Sequence, residues 1–259
     1  MTMPNRGSGR PVAERVDRFV TGGCLALLVV LIVVGGFLAA WMWSSIWRVT
    51  QDDGNKREAA LAALLQEADR TAADSRHALG ASGSTDVDVL TGVIGQRTGA
   101  PVITYDASRD EFTAVVRKEV RYDMAGFTGA GAGEEARCLV LTYTRGAGRT
   151  WTSRVDVQDV GVCGPSREID VRAAEARAQL AGTPAEDLTA SGVQRSLDPA
   201  GRPDWLRVTR VVRRGDVVTV SAVVSTWDGS TGQCYRFTRR LSGAGAPSAP
   251  ATGVPALRC

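Results

Sequence analysis

A chain of 259 residues, 44% of them hydrophobic and 23% charged, carries a formal net charge of +3. That composition excludes the disordered and fibrous classes and leaves room for one or two buried cores. Of the 31 basic residues only Lys56 and Lys118 are lysines, so arginine supplies almost all of the positive charge.

The first predicted element is membranous. No charged residue occurs from Val20 to Trp47, and the stretch from Cys24 to Trp43 is almost wholly apolar. At helical rise that length crosses a bilayer core. Trp41, Trp43 and Trp47 gather at its C-terminal end, where indoles favour the headgroup region, and Arg48 closes it. Cleavage as a signal peptide would need small residues at the end of the apolar stretch, and bulky Trp41 follows Ala39 and Ala40 there. Cys24 opens the span instead of following it, which does not fit a lipid-acceptor cysteine. The expected organisation is a cytoplasmic tail over residues 1–18, a membrane anchor over 19–47 that contacts lipid, and exported material beyond it.

Two features set that orientation. Arg6, Arg10, Arg15 and Arg18 precede the span, whereas Arg48, Lys56 and Arg57 follow it among Asp52, Asp53 and Glu58. Cys138, Cys163, Cys234 and Cys259 all lie beyond it, an even set suited to an oxidising compartment.

The exported part shows signs of duplication. Cys138 and Cys163 are 25 positions apart, and so are Cys234 and Cys259. Ala73, Asp74, Ser75, Arg76 and Leu79 align with Ala174, Glu175, Ala176, Arg177 and Leu180. Thr85, Leu90, Thr91, Gln96 and Arg97 align with Thr183, Leu188, Thr189, Gln194 and Arg195. Ordered matches of this kind indicate repeats over residues 48–165 and 166–259, each closed by its own disulfide.

In the first copy, Leu61, Leu64, Leu65, Ala68, Ala72 and Leu79 recur at helical spacing and predict an amphipathic helix over 57–79. Thr85 and Asp88 suggest a capped second helix, and strands are expected over 102–105, 111–122, 137–144 and 151–158. Gly126, Gly129, Gly131 and Gly133 read as a flexible connection. The second copy repeats the order: a helix over 167–181, a helix opened by Thr183, Pro184 and Glu186, then strands over 205–212, 216–226, 233–241 and a last one near Cys259. The fold class is therefore α+β: an N-terminal transmembrane helix followed by two tandem repeats, each two helices packed on a four-stranded antiparallel sheet. This layout resembles the nuclear transport factor 2-like and cystatin-like cones, including the paired periplasmic modules of bridging proteins in conjugation systems.

Motifs of catalysis are lacking. The sequence holds no Gly-x-Ser-x-Gly elbow, no phosphate loop and no His-Glu-x-x-His, and its single histidine, His77, stands near a helix end. The cysteines have no Cys-x-x-Cys spacing, so they read as structural. Neither an enzyme nor a cofactor or metal is expected.

Charge is distributed unevenly. Residues 202–259 hold nine arginines against three aspartates, a net of +6, and residues 50–201 balance this with −6. Arg207, Arg210, Arg213, Arg214, Arg236, Arg239 and Arg240 fall on or beside predicted strands, where alternation places several on one solvent face. An exported basic surface suits a protein partner or an anionic wall polymer; nucleic acid is not expected there. The sequence thus suggests an interaction or scaffold protein of a bacterial cell envelope, an accessory subunit of a secretion, conjugation or wall-associated assembly. The alternative is a ligand-binding or sensory ectodomain working with a partner subunit.

Overall fold

The apolar span and the amphipathic segment after it form one helix, α1 (Val12–Ser82), in the computed structural model of the chain, which describes residues 12–126, 129–199, 201, 205–241 and 250–259. The helix expected over 57–79 is thus the C-terminal part of a longer one that runs on from the span without interruption. Between Arg48 and Arg57 there is no proline, and Gly54 alone weakens a helix by only about 1 kcal/mol. From Leu27 to Trp47 the large apolar side chains are exposed, and this is the one helix among the described residues long and apolar enough to cross a membrane.

The chain divides into two compact units, one drawn from the chain up to Arg57 with Asp123–Ala132, the other from Glu58–Tyr122 and Gly133–Cys259. The second holds two four-stranded antiparallel sheets. After α2 (Val87–Thr98) come β1 (Val102–Asp106), β2 (Glu111–Gly126), β3 (Gly129–Arg145) and β4 (Trp151–Gln158), neighbours in that order. Then follow α3 (Gly164–Gly182), α4 (Ala190–Leu197), β5 (Leu206–Arg214), β6 (Val217–Ser225), β7 (Gly232–Arg240) and β8 (Thr252–Ala256), with β5 to β8 again in sequence order.

Local chemistry explains where these elements begin. The carboxylate of Asp86, not the hydroxyl of Thr85, caps α2 by accepting from Asp88 N, because Asp86 immediately precedes the first helical residue. Thr183 ends α3, and Ala185–Asp187 form a short 3₁₀ turn; α4 starts later, where Thr189 accepts from Gly192 N. The glycine-rich stretch predicted as a connection is instead strand, since Gly129, Gly131 and Gly133 belong to β3. The ring of Tyr122 lies where a side chain on Gly133 would sit: a Cβ there would come within 2.5 Å of it.

Each sheet buries one face under helices. Phe112, Ala114, Leu139, Leu141 and Tyr143 meet Ala68, Ala72, Leu79, Leu90 and Ile94 in one cluster. Val218, Val220, Ala222, Val224 and Phe237 meet Ile169, Ala173, Leu180, Val193 and Leu197 in the other. Full burial of such side chains contributes about 1.5–3 kcal/mol each, so these layers dominate the stability.

The clusters are stitched together. Val102 of β1 packs into the second, and Leu257 beyond β8 packs against the first. Buried Gln233 accepts from Ile103 N at 2.9 Å and donates to Ala256 O at 2.6 Å, joining β1, β7 and β8. Tyr235 Oη donates to Pro101 O at 2.8 Å, and Ser166 Oγ donates to Val115 O at 2.9 Å. Helix α2 approaches β8 through Gly95, where any Cβ would come within 2.6 Å of Pro255 Cγ. Cys138 pairs with Cys163 and Cys234 with Cys259, both with Cα atoms 5.5 Å apart. Closing loops of this length stabilises by about 3–4 kcal/mol in the chain-entropy view.

Replacing Gln233 with Leu is expected to strand the Ile103 N–H in the interior and to lower stability by about 1–3 kcal/mol. Thermal unfolding of the full chain in detergent checks this; an unchanged midpoint would remove the seam from the account of how the sheets are held.

Candidate functional site

Strand β5 carries the feature that decides which arginines share a face. Val208 pairs with Ala222, but Arg210 pairs with the very next residue, Ser221, so Thr209 is an extra residue in a β-bulge. A bulge reverses the inward and outward alternation beyond it. Arg207 and Arg210, three positions apart, therefore lie on the same outer face, and Val208 and Val211 both turn toward the core. Arg210, Ser221 and Arg236 line up across β5, β6 and β7, and so do Arg214, Val217 and Arg240. Val212, Thr219 and Thr238 form the row between them.

This outer face contains an open groove of about 510 Å³ lined by Arg210, Arg214, Arg236 and Arg258 with Val212, Thr219, Ser221 and Asp88. All four arginines are exposed, and none forms an ion pair with a described carboxylate. Arg258 comes from the segment after β8. Asp88 Oδ1 accepts from Leu257 N at 2.9 Å and Arg258 N at 3.1 Å, and the Cys234–Cys259 bridge anchors the next residue. The Asp88 carboxylate that lines the groove is thus engaged by backbone N–H groups of the tail.

The remaining arginines of the predicted surface have other places. Arg207 is exposed on the same face, and Arg240 pairs with Asp216 at 3.4 Å. Arg213 lies opposite buried Val218 and donates to Gly215 O at 3.3 Å. Arg239 also faces inward: its Nη1 donates to Leu180 O at 2.7 Å and to Thr183 O, satisfying carbonyls at the end of α3. Helix C-termini leave such carbonyls without partners and attract cations. Arg258, which belongs in the groove, sits in no strand, and no spacing in the sequence pointed to it.

Arg172, on α3, is a further inward arginine. It is 5% exposed, donates to Ser225 O at 2.6 Å, pairs with Glu168 at 2.8 Å, and places its guanidinium 5.0 Å from the Trp205 ring and 5.2 Å from the Trp227 ring. Those contacts tie α3 to the strand ends. Between α1 and the first sheet lies an apolar cavity of about 180 Å³, lined among others by Leu64, Ala68, Val116, Leu139 and Leu141.

Two aspartates in turns titrate low. Asp228 is drawn down to about 2 by the Thr226 hydroxyl and by the N–H and hydroxyl of Ser230. Asp106 is drawn down to about 2 by the Ser108 hydroxyl and then the Arg109 guanidinium. Burial raises the Tyr235 phenol, whose proton is donated to Pro101 O. His77 is exposed on α1. Among the described residues no group of three His, Cys, Asp or Glu side chains is placed to hold a metal ion.

Comparison of the chain with protein-family models, curated proteins and solved structures returns no match.

Two outcomes follow from these placements. Arg239→Gln is expected to lower stability by about 1–3 kcal/mol, since it removes charge-assisted bonds to a helix end, whereas Arg236→Gln is expected to stay within about 0.5 kcal/mol. Equal effects in thermal melts would contradict the assignment of the two side chains to opposite faces. In a carboxyl-carbon titration the Asp228 signal should move with a midpoint of about 2, well below an ordinary aspartate. Because the folded carboxyl is depressed, its contribution to stability is present above about pH 4 and is lost as pH falls toward 2.

Proposed function

We propose that this chain is a membrane-anchored interaction protein of a bacterial cell envelope, held by residues 19–47, with its N-terminus in the cytoplasm and the disulfide-bonded region outside. The reading takes the exported region as a tandem duplication, each copy two helices on a four-stranded sheet in a cone-like layout. The matching order of elements supports this, as does the placing of each disulfide between the third strand of a sheet and the segment after its fourth. The observation that carries the function is the outer face of the β5–β8 sheet, where Arg210, Arg214, Arg236 and Arg258 converge on one groove without a described carboxylate partner. Guanidiniums gathered in this way create a positive field that attracts an anionic partner. In this reading the chain is a scaffold or accessory subunit, not an enzyme, and it needs no cofactor.

A ligand-sensing ectodomain is the weaker reading. The apolar cavity under α1, at about 180 Å³, is smaller than the roughly 300–1,000 Å³ that encloses a drug-sized ligand, and the concavity of about 650 Å³ beside Arg172, Trp205 and Trp227 is open to solvent.

The test is topological and biochemical. An impermeant maleimide should label an Asp187→Cys variant in intact cells, and crosslinking before solubilisation should capture a partner by way of the arginine face. Labelling only after the cells are opened would overturn the exported placement and with it the proposed function.

A further inference from the structure

Resting on that interaction reading, we infer that the groove on the β5–β8 sheet binds an extended polyphosphodiester chain, such as a poly(glycerol phosphate) wall polymer, along the sheet's outer face. The argument starts from spacing. Arg210 and Arg236 face each other across β6, two strand separations apart, roughly 10 Å. Arg210 and Arg214 are four residues apart along β5, about 13 Å. The two free oxygens of one phosphodiester suit one or two of these long side chains, whereas successive phosphates on one chain can engage all four. On β6, between the arginines of β5 and β7, the groove presents the side chains of Thr219 and Ser221, whose hydroxyls can donate to phosphate oxygens.

Three features favour a phosphate polymer over a protein. Guanidinium is a planar fork that matches phosphate oxygens in pairs. The groove offers Val212 as its only large apolar side chain and no aromatic anchor, whereas protein interfaces draw most of their affinity from buried aromatic and aliphatic contacts. Asp88 has its Oδ1 occupied by two tail N–H groups, which holds Arg258 at the end of the groove. The Cys234–Cys259 bridge fixes the same segment, so the fourth guanidinium is placed before any ligand arrives.

The test uses the full chain in a nonionic detergent and an immobilised poly(glycerol phosphate) oligomer. The wild type should bind, and affinity should fall roughly 50-fold between 50 and 200 mM salt, as expected for about four released counterions on a linear polyanion. A variant carrying Arg210→Gln, Arg214→Gln, Arg236→Gln and Arg258→Gln should lose binding by about 30-fold or more while melting as the wild type does. Single variants Arg210→Gln and Arg236→Gln, each expected to lose about 3- to 10-fold, keep the test decisive if the fourfold variant does not fold. Inorganic phosphate at equal phosphate concentration should compete poorly. No binding by the wild type, or equal binding by the glutamine variants, overturns the inference. Equal binding of polyglutamate or of anionic lipid vesicles through the same arginines also overturns it, in favour of those partners. If the oligomer fails while a protein still crosslinks to the arginine face, the polymer assignment falls and the interaction reading stands; if Asp187→Cys is labelled only in opened cells, the reading itself falls.

Discussion

The amide of Gln233 lies where three strands from two sheets come together, and the rest of the two-sheet structure depends on that contact. Its oxygen takes the Ile103 N–H of β1, an edge strand whose outer hydrogen bonds would otherwise face the interior without partners. Its nitrogen holds Ala256 O of β8, the last strand. A buried amide satisfied on both ends is stable, but removing either partner leaves an interior polar group that costs about 1–3 kcal/mol. The amide therefore favours this arrangement of the sheets, and Tyr235 on Pro101 and Leu257 against the first core reinforce it. Two sheet layers that resemble each other in element order are joined by polar contacts between residues more than 100 positions apart.

Those contacts also explain what the sequence does and does not make legible. The two four-stranded sheets follow from β-branched alternation and turn residues, because strand formation reads the local pattern; Trp151–Gln158 begins and ends as the pattern predicts. The cysteine spacing correctly anticipates which sulfurs meet, since equal spacing repeats one local geometry twice. Helix starts are less legible: Thr85 and Thr183 have the residue type of a cap, yet Asp86 and Thr189 do the capping, as the position of the first buried turn decides between neighbouring candidates. The bulge at Thr209 leaves no trace in composition. It nevertheless determines which of Arg207, Arg210 and Arg214 share a face, because one extra residue inverts everything after it.

Arginine illustrates the limit most clearly. Arg236, Arg239 and Arg240 lie within five positions, and the sequence treats them alike. Strand alternation separates them: Arg236 reaches the groove, Arg239 turns inward to the carbonyls of α3, and Arg240 pairs with Asp216. Arg172, on a helix whose neighbours are charged, is nearly as buried as the apolar core, because two indole faces and the Ser225 carbonyl replace its water. A guanidinium tolerates this better than an ammonium would, being planar and weakly hydrated. Net charge over a segment therefore overstates the charge available at a surface: part of the +6 of residues 202–259 serves internal contacts.

The C-terminal segment joins fold and surface. Asp88 stands in the first turn of α2, where the helix dipole stabilises a carboxylate, and that same carboxylate gathers the N–H groups of Leu257 and Arg258. Arg258 is thus positioned by α2, which precedes the first sheet, and presented on the outer face of the second. Cys259 follows directly and returns to Cys234 in β7, whose neighbour Gln233 makes the seam. Seam, disulfide and groove occupy successive residues at one corner of the molecule. Any change that loosens the packing of the two sheets must therefore also displace Arg258 from the other three guanidiniums, so the order of the groove is inseparable from the order of the fold.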